Sequence, residues 1–172
     1  TVRVVSPQFV KPFVKGNKND GKDVEAICEA IQRPNMRFVP LKSIEQQDIQ
    51  SLHRARQRLV NHLTALISQM RGILLDRGIA FGKSASRARR LIPQIIADGS
   101  KDLTAMARET LASLYVFLQQ IDERIKDFDR RIDVVFRASE VCPRIAKVPG
   151  VGPKTATAMV AAVGDAREFK NG

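Results

Sequence analysis

Residues 49–73, IQSLHRARQRLVNHLTALISQMRGI, and residues 111–135, LASLYVFLQQIDERIKDFDRRIDVV, decide the fold. In each stretch one stripe of residues, called a seam below, recurs at intervals that alternate between three and four positions. This is the 3.5-residue period of supercoiled helices that pack knobs-into-holes. The seams consist of Ile49, Leu52, Arg56, Leu59, Leu63, Leu66, Met70 and Ile73, and of Leu111, Leu114, Leu118, Ile121, Ile125, Phe128, Ile132 and Val135. Arg56 is their only polar member, so the pattern predicts a mainly α protein built around a coiled-coil hairpin of two long helices.

The flanks of the first seam are also apolar. Val60, Ile67 and Leu74 widen its stripe beyond what a contact between two helices requires. We therefore expect the first long helix to touch a third helix besides its main partner.

Boundary signals delimit both long helices. The first is predicted over about residues 43–78, because Ser43 and Gln46 have the spacing of a capping box and a glycine ends the pattern. The second is predicted to open at Ser100 or Asp102 and to continue to about residue 138.

The flanks of the second seam are charged. Arg124 and Arg131 lie on one flank, and Asp122 and Asp129 lie on the other. In a parallel pair of two copies, Arg124 would face Asp129 of the partner copy. The competing arrangement is an antiparallel hairpin with the first helix of the same chain, which a short connection permits. We expect the hairpin, with a second copy docked against it in a homodimer or a higher homo-oligomer.

Residues 1–41 have a different pattern. A β-branched run at 2–5 predicts a buried strand, a helix is predicted over about 22–32, and 36–41 predict a second strand. The apolar face of that helix contains Val24, Ile27, Cys28 and Ile31. The order strand, helix, strand is typical of the last part of an α/β domain.

Composition narrows the class of partner. The formal net charge is +11 and the isoelectric point is near 10.3, which favours a polyanion. No apolar run approaches the ~20 residues of a membrane span, so nucleic acid is favoured and a membrane is not expected. Cys28 and Cys142 are far apart and outside any metal-ligand spacing, which suits a reducing cytoplasm.

The first stretch that could carry chemistry contains Asp20 and Asp23. Carboxylates at positions i and i+3 lie on the same side of a helix start, and hard oxygen ligands suit Mg²⁺ or Mn²⁺. The alternative is ordinary helix capping, with Asp20 as the N-cap residue and Asp23 at the third helical position. Two carboxylates are also too few to hold two metal ions.

The second stretch is residues 145–158, IAKVPGVGPKTATA. A short helix, a Pro-Gly-x-Gly turn and a helix of small residues form a helix-hairpin-helix signature. Gly150 and Gly152 would let the backbone approach a DNA phosphate, amides near Thr155 could donate to it, and Lys154 would add charge. We expect a positive φ at Gly152, where the backbone would approach the phosphate. The alternative is a plain corner that packs on its neighbours.

A third stretch, residues 83–90, connects the long helices. Arg87, Arg89 and Arg90 are close enough in sequence to hold phosphates together. A solvated helix start is the competing interpretation.

Four stretches occur in the order 18–27 (KNDGKDVEAI), 37–40 (RFVP), 46–58 and 148–153 (VPGVGP). Together they closely resemble DEDD transposases of the insertion sequence 110 family. The resemblance implies a RuvC-like domain with four metal-binding acids, a coiled-coil segment, and a transposase domain with a helix-hairpin-helix element and a nucleophilic serine. Some members are guided by a structured RNA, which makes a guide RNA a candidate partner.

Carried over to this chain, the resemblance assigns three segments. Residues 1–41 would be the C-terminal part of the RuvC-like α/β domain, 42–140 the coiled-coil helical domain, and 141–172 the helix-hairpin-helix start of the C-terminal domain. Asp20 and Asp23 match the last two of the four acids. The first two acids would precede the chain and the serine would follow it. We therefore expect a fragment of a DNA transposase or site-specific recombinase that is inactive alone.

A rival hypothesis comes from another class of protein. The chain could be a non-enzymatic, dimeric DNA-binding module with a coiled coil, in which Asp20 and Asp23 only cap a helix. Both hypotheses share the DNA partner, and they differ in whether the two aspartates serve a metal ion.

Overall fold

The computed structural model of the protein describes residues 3–14, 16, 19–99 and 102–163. The chain is mainly helical and divides into two compact units, one of residues Thr1–Gln47 with Ala161–Gly172 and one of residues Asp48–Val160. The elements in chain order are β1 (Val4–Val5), α1 (Pro7–Val10), a 3₁₀ turn (Lys11–Phe13), α2 (Asp20–Ile31), β2 (Phe38–Val39), α3 (Ile44–Leu75), α4 (Ala85–Ala97), α5 (Ala105–Ala138), α6 (Val141–Ile145) and α7 (Pro153–Ala162).

The first unit contains the predicted strand, helix and strand in that order. The two strands form an antiparallel pair in which Val4 faces Val39 and Val5 faces Phe38. Both strands are only two residues long, and the prediction that the first is buried is wrong, because Val4 is exposed and Val5 is half-buried.

Helix α2 buries a different face from the predicted one. The residues Val24, Ile27, Cys28 and Ile31 are all exposed. Ala26 and Ala30, one turn apart, are fully buried instead, and α1 and the 3₁₀ turn pack on the helix. Small side chains allow this close contact, which larger apolar residues would prevent.

Helix α3 starts where the capping box predicts. The Ser43 N–H donates to Gln46 Oε1 (3.0 Å), and the Gln46 N–H donates to Ser43 Oγ (3.1 Å). The helix ends at Leu75, and the following turn reaches Gly78, whose φ is +70°. A positive φ is the conformation that glycine adopts without steric cost after a helix.

The starts of the next two helices follow from hydroxyl caps. Thr104 caps α5, with its Oγ1 accepting from the Ala107 N–H (3.2 Å), so the prediction of Asp102 is wrong and Ser100 lies outside the described residues. The predicted end near residue 138 is confirmed. Ser84 caps α4, so the basic connector is itself the first turn of a helix.

The core of the second unit joins α3, α4 and α5. Every seam position is buried or half-buried, and Met70, Leu111 and Leu118 are fully buried. The core also includes Leu74 of α3 and Ile92 of α4. The expected third helix is therefore α4, while the knobs-into-holes geometry stays a prediction.

The long helices pair within one chain. Arg56, in the first half of α3, forms an ion pair with Asp129, near the end of α5. Leu74 at the end of α3 and Leu111 near the start of α5 belong to the same core. Both observations indicate an antiparallel hairpin. The seams and Asp129, which a parallel pair of two copies would need, therefore already make contacts within one chain.

None of the helices found in the described ranges combines the length and the apolar character that a membrane crossing requires.

The core predicts a contrast between two neighbouring residues of α5. Replacing the fully buried Leu118 by alanine should lower the free energy of unfolding by about 2–5 kcal/mol, since it leaves a cavity. The Phe117→Ala control removes a larger side chain that is 48% exposed, and should cost only about 0.5 kcal/mol. Urea unfolding followed by circular dichroism measures both, and equal losses would contradict the burial pattern.

Candidate functional site

Asp20 and Asp23 lie at the start of α2, but neither caps it. The cap is Asn19, whose Oδ1 accepts from the Gly21 N–H (2.9 Å) in an extended backbone conformation. Asp20 is the first helical residue and is exposed, and Asp23 is the fourth and half-buried. The capping alternative is therefore wrong in its assignment of these two residues. Neither carboxylate takes a hydrogen bond or ion pair from another described residue.

These two carboxylates fit part of a metal site. Their spacing of three puts both near one side of the first turn, and carboxylate oxygens are ligands that Mg²⁺ and Mn²⁺ accept. In the part of the chain that the structure describes, no group of three or more His, Cys, Asp or Glu side chains could hold a metal ion. The pair could hold an ion only together with ligands from elsewhere.

The three arginines of the connector do not share one environment. Arg89 forms two hydrogen bonds with Asp122 of α5 (2.6 and 2.7 Å), and its carbonyl accepts from the Tyr115 hydroxyl (3.1 Å). The hydrogen bonds that Arg89 donates to the Asp122 carboxylate raise the pKa of the Arg89 guanidinium. Arg87 and Arg90 are exposed and form no ion pair with a described carboxylate. Arg89 thus joins α4 to α5, and the other two face solvent.

The Pro-Gly-x-Gly turn joins α6 to α7. The Val151 N–H donates to the Val148 carbonyl (3.0 Å), and Gly150 has a φ of +85°, which explains the need for glycine there. Gly152 has no positive φ, so the expectation for it is wrong. A Cβ at Gly152 would meet nothing within 4 Å, and the Gly152 carbonyl accepts the first bond of α7 from Ala156 (3.0 Å).

Lys154, the second residue of α7, is paired within the protein. Its Nζ lies 3.0 Å from both carboxylate oxygens of Asp129, and Asp129 also accepts a hydrogen bond from Arg56 Nε. Burial alone would raise the pKa of Asp129, but the hydrogen bonds from Arg56 and Lys154 outweigh it and hold this pKa below its ordinary value. One carboxylate thus links α3, α5 and α7. Thr155, the next residue, is exposed.

A second polar contact supports the same junction. His53 of α3 lies 3.0 Å from the Oγ1 of Thr157, which is fully buried on α7. The Thr157 hydroxyl donates to the Pro153 carbonyl (2.8 Å), which leaves its oxygen to accept from His53. Burial, and then the charge of Arg56, lower the pKa of His53 and favour its neutral form.

Sequence reasoning missed Asp129 as the centre of this junction. The usable signal was Arg56, because a cation within an apolar seam needs a carboxylate opposite it. Asp129 on the flank of the other seam was the available candidate, but the sequence analysis considered it only for a parallel pair of two copies.

Comparison with known proteins gives two family matches. A profile described as Transposase, for DEDD proteins of the IS110 group, matches residues 1–77. A profile described as the IS116/IS110/IS902 family of transposases matches residues 142–172.

Similar proteins occur in several bacteria. A probable family 20 transposase of Pseudomonas aeruginosa is 44% identical over 100% of this chain and 51% of its own length. The transposase for insertion sequence element IS1111A of Coxiella burnetii is 43% identical over 97% of this chain and 46% of its own length. The chain therefore spans about half the length of the curated relatives it matches. No solved structure was found to match it.

The lowered pKa of Asp129 predicts a pH-dependent contribution to stability. Asp129→Asn should lower the free energy of unfolding by about 1–3 kcal/mol at neutral pH, because Arg56 and Lys154 lose a charged partner. A depressed carboxyl pKa stabilises the fold above the unfolded value of 3.8, and this contribution is lost as the pH falls through the folded pKa. The difference between variant and wild type should therefore shrink in acid.

Urea unfolding at a series of pH values measures that difference. The control is Asp127→Asn, since among the described residues Asp127 pairs only with the exposed Arg130 and Arg131 and should contribute about 0.5 kcal/mol or less. A difference for Asp129→Asn that stays constant down to strong acid would contradict the ion-pair assignment.

Proposed function

We propose that the chain is the middle segment of a transposase of the IS116/IS110/IS902 family, an enzyme that cleaves and rejoins DNA. One observation carries the proposal. Both candidate sites lie inside the matched stretches, Asp20 and Asp23 within 1–77 and the Pro-Gly-x-Gly turn within 142–172.

Asp20 and Asp23 are proposed as two of the metal-binding acids of the intact enzyme. The proposal is supported by the Asn19 cap. Because Asn19 caps α2, neither carboxylate is needed as a cap, and both have no partner among the described residues. A bound Mg²⁺ or Mn²⁺ would stabilise negative charge that develops on the phosphodiester oxygens. The remaining acids and the serine nucleophile would come from outside this chain.

The turn is proposed to hold a DNA phosphate through its backbone. Gly150 provides the tight bend, and the open space beside Gly152 lets a phosphate approach. Amides at the start of α7, those of Lys154 and Thr155, would donate to it. Such contacts do not read bases, so binding should be independent of sequence.

The connector is proposed to hold a second stretch of phosphates. Arg87 and Arg90 are available for this contact, whereas Arg89 would act indirectly, by holding α4 on α5 through Asp122. The net charge of +11 suits DNA and would equally accommodate a structured guide RNA.

A second copy of the chain is also proposed as a partner. Because the seams are used within the chain, the second copy would dock on the outer face of α5, where Val116 and Phe117 are exposed. Docking there would leave the Arg56–Asp129 pair intact.

The rival, a non-enzymatic DNA-binding module, would share the DNA contacts. It would leave Asp20 and Asp23 without a role, since Asn19 caps α2. The family match also disfavours it, and metal binding separates the two hypotheses.

We expect weak metal binding and no DNA cleavage by this chain alone. Calorimetry should give a dissociation constant for Mn²⁺ of about 1 mM, because two carboxylates replace few of the ion's waters. Asp20→Asn/Asp23→Asn should abolish that heat, and the control Glu123→Gln/Asp127→Asn should retain it. Micromolar binding, or nicking of plasmid DNA by the purified chain, would show a more complete site. Binding unaffected by Asp20→Asn/Asp23→Asn would support the rival.

The turn predicts the effect of filling the space at Gly152. Gly152→Val should weaken DNA binding by about tenfold, the equivalent of one charged hydrogen bond. The matched control is Gly72→Val on α3, where an added Cβ also meets nothing within 4 Å. Fluorescence anisotropy with two unrelated duplexes measures affinity, and circular dichroism verifies the helices. Equal affinities for Gly152→Val and wild type would mean that the turn is only a packing corner.

A further inference from the structure

Three cations flank the Pro-Gly-x-Gly turn in sequence. Arg144 is in the last turn of α6, Lys147 follows that helix, and Lys154 is in the first turn of α7. The sequence alone favours Lys154, because it lies two residues after Gly152. The structure separates the three by their partners.

Lys154 is already neutralised. Its ammonium lies between the two oxygens of Asp129, at 3.0 Å from each. A phosphate close enough to bind this ammonium would also approach the Asp129 carboxylate, and the like charges would repel each other. If the ammonium left Asp129, α7 would lose its ionic link to α5.

Arg144 and Lys147 differ from Lys154 in this respect. Both are exposed, and neither forms an ion pair with a carboxylate in the part of the chain that the structure describes. Three positions separate them, which is the spacing of neighbours on one side of a helical turn.

The backbone keeps these two residues close to the glycines. The Lys147 N–H donates to the Arg144 carbonyl (3.3 Å), Val148 to Ile145 (3.1 Å), and Val151 to Val148 (3.0 Å). Lys147 precedes Gly150 by three residues, so their Cα atoms are at most about 10 Å apart. A lysine side chain reaches across much of that distance.

We propose that Arg144 and Lys147 supply the side-chain charge for a DNA phosphate at the turn, and that Lys154 is a positioning residue that holds α7 on Asp129. This inference rests on the proposed DNA contact of the turn. It divides the cations around the turn into two that bind the ligand and one that stabilises the junction.

The test measures DNA affinity against salt concentration, together with thermal unfolding. Arg144→Gln/Lys147→Gln should reduce the salt slope by up to about two units, since each phosphate contact contributes about 0.9, and should leave the melting temperature unchanged. Arg54→Gln/Lys126→Gln removes the same charge from two exposed sites elsewhere and should leave the slope near the wild-type value. Lys154→Gln should lower the melting temperature and keep the slope, and Lys154→Arg should restore the melting temperature.

Two results would overturn the inference. One is a slope for Arg144→Gln/Lys147→Gln equal to that of its charge-matched control. The other is a slope reduced by about one unit in Lys154→Gln at an unchanged melting temperature. If Lys154→Gln does not fold, the comparison of Arg144→Gln/Lys147→Gln with its control still tests the inference, because these two side chains form no hydrogen bond or ion pair with a described residue. Failure of the turn itself is distinguished by Gly152→Val, which would then bind DNA like wild type.

Discussion

The second unit depends on the neutralisation of one cation in an otherwise apolar seam. A charge at the position of Arg56 is costly unless a carboxylate meets it, and Asp129 of α5 is that carboxylate. The same carboxylate also accepts from Lys154, which adds α7 to the junction. One heptad earlier on α5, Asp122 holds Arg89 and so fixes the start of α4. Two aspartates of α5, one heptad apart like equivalent positions of the seam, thus connect α3, α4 and α7 to α5.

This arrangement divides the basic residues of the protein into two groups. Arg56, Arg89 and Lys154 are partners of buried or half-buried aspartates, and their charge serves the fold. Cations that face solvent without such a partner remain available to a polyanion, and the net charge of +11 means that cations outnumber carboxylates in the chain. A count of lysines and arginines therefore indicates the class of ligand, whereas the aspartates determine which cations can reach it.

The two candidate sites have different local origins. In the first unit, Asn19 has an extended backbone and caps α2, which leaves Asp20 and Asp23 at the helix start without a capping role. In the second unit, the positive φ of Gly150 bends the chain between α6 and α7, and the open space at Gly152 keeps the backbone accessible. Each site combines a local backbone feature with charge, and both sites lie within stretches that transposase profiles match.

Local and periodic patterns were sufficient to predict the helical class, the seams, the Ser43 capping box, the end of α5 and the presence of a third helix, because these depend on spacing along one chain. The same patterns drew attention to both candidate sites, whose functional roles stay predictions. The patterns failed to predict which face of α2 is buried. This helix buries Ala26 and Ala30, because close packing favours small residues over the larger apolar ones. The patterns also could not assign Gly150 rather than Gly152 to the positive φ, because both glycines fit the motif. Only the tertiary structure could pair Arg56 and Lys154 with Asp129. An ion pair between residues far apart in sequence depends on which helices meet, and the spacing of residues along the chain does not contain that information.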